Sequence, residues 1–315
     1  MTGLETFVFF IVGLILLYLG GESLIRGSSN FAIKAGITPL VVGLTVVAFG
    51  TSAPELVVSL KAALLGKSSI SIGNVIGSNI ANIALIIGLA ALIRPIKVHS
   101  KIIITEIPIM IAVSILFMLL LLDGKLVLIE GILFVVILVI YITVNVHLSK
   151  KEVSDNANAE YETVYKKKFG MLFSIFLIIA GLLLLVYGAN LLVKSAISIA
   201  KYFNVSDAVI GLTIVAVGTS LPELVTSIVA SYKNESDIAV GNVVGSNIFN
   251  ILAILGITVL FVPISSAEIS YFDLSMMFVT AFALLFMAKW GSSINRLEGF
   301  LFVSGYALYI YFLLP

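Results

Sequence analysis

Two glutamates sit where an apolar chain should not tolerate them. Glu55 closes the stretch GTSAPE, residues 50–55, and Glu223 closes GTSLPE, residues 218–223, each within a long hydrophobic run. A proline, Pro54 or Pro222, precedes each acid. In a helix, Pro54 cannot donate to the Gly50 carbonyl and its ring pushes that carbonyl aside; Pro222 does the same to Gly218. The carbonyls from Ala48 to Thr51 and from Ala216 to Thr219 are therefore expected to be partly free. In lipid that is tolerated only where protein or a cavity satisfies them. Thr51, Ser52, Thr219 and Ser220 add hydroxyls beside the carboxylates. Every donor atom is a hard oxygen, the type that suits sodium, calcium or magnesium. An ionised carboxylate at the bilayer centre costs roughly 2.5–3.5 kcal/mol on insertion scales. Neither motif contains a Lys or Arg. A bound cation is the simplest partner, and the alternative is a protonated Glu hydrogen-bonded to a hydroxyl at a kink.

A second pair of motifs follows: SIGNVIGSNIANIAL and AVGNVVGSNIFNILA. Asn74, Ser78 and Asn82 recur at i, i+4 and i+8, as do Asn242, Ser246 and Asn250, so each set is expected to form one polar helical stripe. Alone, such a stripe reads equally as polar glue between helices. Beside the glutamates it reads as the remaining wall of an oxygen cage with only two formal negative charges. Gly73/Gly77 and Gly241/Gly245 are GxxxG pairs, which permit close helix approach.

The elements that must hold these residues are membrane helices. The 315 residues are 60% hydrophobic and 11% charged, against a usual charged share of about 25%. Hydropathy with Pro and Gly breaks gives ten spans, near 4–28, 39–65, 70–93, 101–121, 125–147, 169–200, 207–232, 238–262, 268–289 and 295–314. The N-terminus lacks a basic region and cleavage site and reads as a retained first helix. There are no cysteines, which excludes thiol chemistry, and a net charge of +1 gives no reason to expect nucleic acid. His99 and His147 fall near helix ends and read as interfacial. Glu130 and Glu298 sit near helix starts, where an acid favours the dipole. Glu22, Glu106, Asp123 and Asp273 have no acid at the equivalent repeat position, and all six acids are expected to be interfacial or structural.

The chain is a duplication. Adding 168 to a residue number in the first half gives its counterpart: Gly43/Gly211, Glu55/Glu223, Gly73/Gly241, Asn82/Asn250 and Tyr141/Tyr309. Between residues 41 and 88, 28 of the 48 pairs are identical without a gap. A polar segment, residues 149–168, separates residues 1–148 from 169–315 and reads as a solvated linker. Five spans per copy is an odd number, so the second copy must enter the membrane from the opposite side. The expected fold is an all-α membrane protein of ten transmembrane helices, arranged as two inverted five-helix repeats. Thirteen of the 18 basic residues fall on the linker side. The linker is then cytoplasmic and both termini are outside, in a multi-pass cell-membrane protein.

GTSAPE with GNVIGSNIAN, and GTSLPE with GNVVGSNIFN, resemble the two alpha-repeats of the sodium/calcium exchanger family, within the cation/calcium antiporter superfamily. The resemblance covers essentially the whole chain and points to a prokaryotic-type member without regulatory domains. It implies that spans 2, 3, 7 and 8 surround the ion sites and that spans 1 and 6 slide across this core, a contact that Gly13, Gly20, Gly181 and Gly188 would suit. Carried over by position, it implies Glu55 and Glu223 as shared calcium ligands, helped by the Thr51 and Thr219 carbonyls. Sodium sites would draw on Ala48, Ser52, Ser78, Ala216, Ser220 and Ser246, with Asn82 and Asn250 near the centre. Relatives that also carry potassium have an acid at the position of Asn250. Proton/calcium relatives have a glutamate within the GN motif, where this chain has none.

The expected function is antiport of Na+ against Ca2+, with these ions as substrates, no cofactor, no enzymatic chemistry and no evident protein partner. Protons are expected to compete for two adjacent carboxylates at acid pH. The rivals are a proton/calcium exchanger, a potassium-dependent exchanger, a channel and an intramembrane acid enzyme. No serine–histidine set, phosphate loop or zinc motif accompanies the acids.

Overall fold

A computed structural model describes residues 3–155, 170–203, 216–266 and 269–313. Residues 207–215 of the expected seventh span and 156–168 of the expected linker lie outside the described residues. Helices account for nearly everything else: α1 (Gly3–Ala35), α2 (Pro39–Thr51), α3 (Ala53–Leu64), α4 (Ser68–Ile93), α5 (Ile102–Leu120), α6 (Leu128–Asp155) and α7 (Met171–Tyr202). They continue with α8 (Ala216–Thr219), α9 (Leu221–Tyr232), α10 (Ser236–Phe261), α11 (Tyr271–Gly291) and α12 (Arg296–Leu313). Among the described residues, seven helices are long and apolar enough to cross a membrane, and α2 with α3, bent by 45°, make an eighth.

Two boundaries differ from expectation. α1 runs seven residues past 28, and α6 continues to Asp155 instead of yielding to linker at 149. Hydropathy marks where a helix leaves the apolar layer, not where its backbone stops. Lys150, Lys151 and Glu152 are good helix formers, and the extension is tied down. Ser149 is buried, donates to Thr38 Oγ1 (3.1 Å) and accepts from the Thr38 amide (2.7 Å), while Lys101 Nζ lies 3.2 Å from Glu152.

The backbone repeats its special features at the sequence offset of 168. Gly66 (φ +75°) has its counterpart in Asn234 (φ +64°), and Gly124 (φ +84°) in Ser292 (φ +50°). A left-handed residue is required at both turns, and only one copy fills each with the residue that adopts it freely. Four two-residue strands obey the same operation. β1 (Ile96–Lys97) pairs antiparallel with β4 (Ser293–Ile294), and β2 (Lys125–Leu126) with β3 (Ile264–Ser265). Adding 168 to β1 and β2 gives β3 and β4, so each ribbon joins unlike parts of the two copies.

Helices α4 and α10 form the centre. Buried residues make up 72% and 89% of their apolar stretches, against 28% for each of α6 and α7. The outer helices expose Leu, Ile and Phe, as a lipid-facing surface requires. Helices α2, α4 and α10 contain π-helical turns at Gly43–Val47, Ala81–Ile87 and Asn250–Leu255. Such turns are frequent at functional sites.

Glycines set the spacing of α1 and α7. A Cβ at Gly13 would lie 3.0 Å from the Gly188 carbonyl, and one at Gly20 would lie 2.9 Å from the Gly181 carbonyl. These four glycines therefore bind α1 to α7, not either helix to the central core as the sliding contact expected. Thr6 and Ser198 hydroxyls, 3.1 Å apart, and Asn30 Nδ2 donating to Ser174 Oγ, 2.5 Å, fasten the two ends of this pair.

Candidate cation site

The two broken helices are alike. α2 stops at Thr51, Ser52 leaves the helical region (φ −81°, ψ 3°), and α3 starts at Ala53. α8 stops at Thr219, Ser220 does the same (φ −89°, ψ 7°), and α9 starts at Leu221. Each proline is thus the second residue of a new helix, where its missing N–H costs nothing. This revises the expected list of free carbonyls. The Ala48 carbonyl already accepts the Ser52 amide (3.0 Å). It also adds an effect that the sequence reading missed. Glu55 and Glu223 fall in the first turns of α3 and α9, where helix dipoles favour a negative charge. The carbonyl ends of α2 and α8 face the same breaks and favour a positive one.

Both glutamates are 1% exposed, and the hydroxyls reach across the duplication. Ser52 Oγ donates to Glu223 Oε1 (3.0 Å), and Ser220 Oγ donates to Glu55 Oε1 (3.2 Å). The second oxygens, Glu55 Oε2 and Glu223 Oε2, have no hydrogen-bond partner among the described residues, and neither do Asn82 Oδ1, Asn250 Oδ1 and Ser246 Oγ. An unmet buried polar group costs about 1–3 kcal/mol, and these five oxygens are candidates to meet a cation. The π-helical turn of Asn250 packs on α3 and that of Asn82 packs on α9, which brings these amides to the helices that carry the glutamates.

The expected polar stripes split in function. Asn74 Nδ2 donates to the Glu55 carbonyl (3.3 Å) and to Ser59 Oγ (2.9 Å); Asn242 Nδ2 donates to the Glu223 carbonyl (3.4 Å) and to Ser227 Oγ (3.1 Å). Thr51 Oγ1 completes this side by donating to Asn242 Oδ1 (3.1 Å). Asn74 and Asn242 therefore hold the glutamate-bearing turns, whereas Asn82 and Asn250 keep their carboxamide oxygens without a partner. Those two lie at the starts of π-helical turns, Ala81–Ile87 and Asn250–Leu255. Ser78 is buried on α4, and Thr219 is half-buried at the end of α8. Ala216 is the first residue of α8. Gly241 and Gly245 seat α10 against α2, with a Cβ at Gly245 only 2.5 Å from the Leu44 carbonyl. The equivalent approach of Gly73 and Gly77 would fall on residues 208 and 212, outside the described residues.

The remaining acids have local partners. Glu130 accepts the Val127 amide (2.9 Å) and Glu298 the Asn295 amide (2.7 Å), closing the starts of α6 and α12. Tyr141 donates to Glu106 (2.8 Å) and Tyr309 to Asp273 (2.9 Å). Tyr141 and Tyr309 are repeat mates, so these two acids do correspond, displaced by one residue. The π-helical turn Ile102–Glu106 in α5 is where the register changes.

The two sides of the site are unlike. α1 lies along α9, with Gly21 against Val225 and Val229. Glu22 there is paired with Arg26 and with Lys233 Nζ (2.5 Å). On the α7 side, a cavity of about 370 Å³ separates Ala189 and Asn190 from Pro54, Val57, Thr219 and Pro222. Asn190 and Leu65 occupy the repeat positions of Glu22 and Lys233, so the ion pair exists on one side only. Among the described residues no cluster of three His, Cys, Asp or Glu residues forms. A cation here would meet two carboxylates and neutral oxygens.

A family model described as sodium/calcium exchanger protein matches residues 5–146 and again residues 173–314. The protein CaxA of Alkalimonas amylolytica is 40% identical over 311 residues, covering 97% of this chain and 98% of its own. The sodium/calcium exchanger MaX1 of Methanosarcina acetivorans is 34% identical over 346 aligned positions, covering 96% and 97%. A solved structure of the sodium-calcium exchanger NCX_Mj, soaked with 10 mM Na+ and zero Ca2+, superposes with a TM-score of 0.84 at 34% identity, covering 98% of each chain.

Proposed function

The chain belongs to the sodium/calcium exchanger family and is a multi-pass membrane protein, and from that premise we propose that it exchanges Na+ for Ca2+ across the membrane by alternating access. The observation that carries the reading is the crossed pair of half-sites: Ser52 on Glu223, Ser220 on Glu55, and five buried oxygens left unpartnered between the copies. Na+ and Ca2+ are close in size, so one flexible oxygen cage accepts either. Charge then does the counting, because one Ca2+ or two Na+ balance Glu55 and Glu223. The Thr51 and Thr219 carbonyls, Ser78, Ser246, Asn82 and Asn250 supply neutral oxygens. Ser52 and Ser220 turn their lone pairs to the ion when the carboxylates engage it. Ala48 and Ala216 contribute through the free lone pairs of their carbonyls.

The exchanged pairing of β1–β4 and β2–β3 supports two copies related by a two-fold; with five spans in each, ten in all, the arrangement is inverted, and the basic residues on the linker side make the linker cytoplasmic and both termini outside. Alternating access then follows from the unlike sides. α1 and α7, joined through their glycines, move as one pair relative to α2, α3, α8 and α9. The cavity beside α7 is the open route and the α1–α9 contact is the closed one.

The test is flux in liposomes. Purified protein in Na+-loaded vesicles, diluted into Na+-free medium with labelled Ca2+, is expected to accumulate Ca2+ only while the Na+ gradient lasts. Uptake driven by a pH gradient without Na+ would assign the proton/calcium reading, and uptake that needs neither gradient would end the exchange proposal.

The Glu22–Lys233 pair should act as a latch on the closed side. Its side chains are 15% and 26% exposed, so breaking it shifts the balance of states by about 1 kcal/mol, roughly fivefold. The chain has no cysteine, so a single introduced one reports access. Lys233→Ala is expected to speed maleimide labelling of Val225→Cys and to slow that of Ala189→Cys. Unchanged rates at both positions would remove the latch.

A further inference from the structure

Two asparagines outside the cage decide which way the cage asparagines face. Asn79 in α4 and Asn247 in α10 are repeat mates, both within the GSN of the second motif, and both buried. Asn247 Nδ2 lies 3.2 Å from the backbone carbonyl of Asn79, and Asn79 Nδ2 lies 3.3 Å from the carbonyl of Asn247. A backbone carbonyl only accepts and has two lone pairs, so it can take a side-chain N–H as well as its ladder bond. The atom facing it must therefore be the amide nitrogen. That fixes both amides and turns their Oδ1 atoms the other way. Asn82 Nδ2 donates to Asn247 Oδ1 and Asn250 Nδ2 donates to Asn79 Oδ1, each at 2.9 Å. With their nitrogens committed, Asn82 and Asn250 can offer only Oδ1 elsewhere, and those two oxygens are among the buried atoms that accept nothing. The sulfurs of Met277 and Met110, 3.9 and 3.5 Å from Asn79 Nδ2 and Asn247 Nδ2, line the clasp with weak acceptors.

We infer that Asn79 and Asn247 are positioning residues for ion binding: a two-fold amide clasp that forces the carboxamide oxygens of Asn82 and Asn250 toward the cation. This rests on the reading of Asn82 and Asn250 as ligands. Without the clasp, either amide rotates freely about its terminal torsion, and half of its orientations present N–H groups to a positive ion. Because each bond crosses from one copy to the other, the clasp also sets both halves together. Neither half can turn its amide without disturbing the other.

The experiment is a cycle between the clasp and the ligand. Asn247→Leu keeps the approximate volume and removes the acceptor for Asn82. In the otherwise native chain it is expected to raise the KM for Ca2+ and for Na+ about tenfold, with kcat nearly unchanged. In an Asn82→Asp background the same substitution should change KM by less than about twofold, since a carboxylate presents oxygen in either orientation. Equal losses in both backgrounds would show a structural role only and overturn the clasp. Asn82→Ala separates the two readings, because unchanged ion affinity there would remove the ligand assignment itself. Should Asn247→Leu fail to fold, Asn247→Asp carries the test. It keeps the acceptor for Asn82 and, protonated, the donor to Asn79. Its KM is expected within about threefold of native, and a tenfold rise would overturn the proposal.

Discussion

Glu55→Gln and Glu223→Gln are each expected to lower apparent Ca2+ affinity by about a hundredfold or more, and the double substitution to abolish exchange. Glutamine keeps the shape of the side chain and an oxygen that can still accept from Ser220 or Ser52, so the effect isolates the charge. Two unit charges 4 Å apart attract by about 4 kcal/mol at an effective dielectric of 20, and a divalent ion doubles that. Reorganisation and the retained amide oxygen return part of it, leaving about 3 kcal/mol, which is over a hundredfold. Na+, with half the charge, should lose the square root of that factor, about tenfold. Separate titrations of Ca2+ and Na+ check this ratio. Equal losses for the two ions would mean that the glutamates act on structure instead of on the ion. Glu130→Gln is the internal control, since Glu130 only closes the start of α6 on the Val127 amide and glutamine can still accept there.

Gly245→Ala is expected to destabilise the protein by about 1–3 kcal/mol, the usual range for overpacking. Its added Cβ would lie 2.5 Å from the Leu44 carbonyl and 2.8 Å from the Leu44 Cα. Both are backbone atoms of a buried helix that cannot swing aside, so α10 must move away from α2. Ser246 and Asn247 follow Gly245 directly, so the displacement reaches the cage and the clasp together. Ca2+ affinity should fall even at temperatures where the variant is folded. Gly305→Ala in α12 is the matched control. No described atom lies within 4 Å of its Cβ, and in a helix interior alanine is favoured by about 1 kcal/mol. Thermal melting of both variants in detergent, with and without Ca2+, gives the comparison. A Gly245→Ala melt as high as that of Gly305→Ala would show that the two helices are not held at contact distance.

The duplication was legible because it is an identity within one chain and needs no fold to be seen. It located both glutamates, their serines and the asparagines, while hydropathy with Pro and Gly breaks placed most helix ends within a few residues. The expected span 101–121 is the observed Ile102–Leu120, and 70–93 is Ser68–Ile93. The misses have physical causes. Hydropathy ends α1 and α6 early because it stops at the membrane edge while helix propensity does not. The division of labour along the stripe, Asn74 on the Glu55 carbonyl and Asn82 on Asn247, lies beyond a spacing rule, which names no partners. An offset of 168 leaves Glu106 and Asp273 unmatched because it cannot see a one-residue change of register. Asn79 and Asn247 were visible as an identical pair, but their hydrogen bonds run between copies, and nothing local marks them.

What the sequence by itself determined is the inventory: two copies, two carboxylates, hard oxygens, no thiol, and helices apolar enough for a bilayer. These follow from composition, identity and spacing, which are properties of a linear chain. The tertiary structure alone decided the partners. Ser52 serves Glu223 and not Glu55, Asn247 orients Asn82, and Glu22 finds Lys233 where the opposite side has Asn190 and Leu65. Each of these contacts joins residues more than 160 positions apart, so its existence depends on how the two copies face each other. A repeat states that two halves are alike; only their packing sets Ser52 on Glu223 and Ser220 on Glu55, and places α1 against α9 but a cavity beside α7.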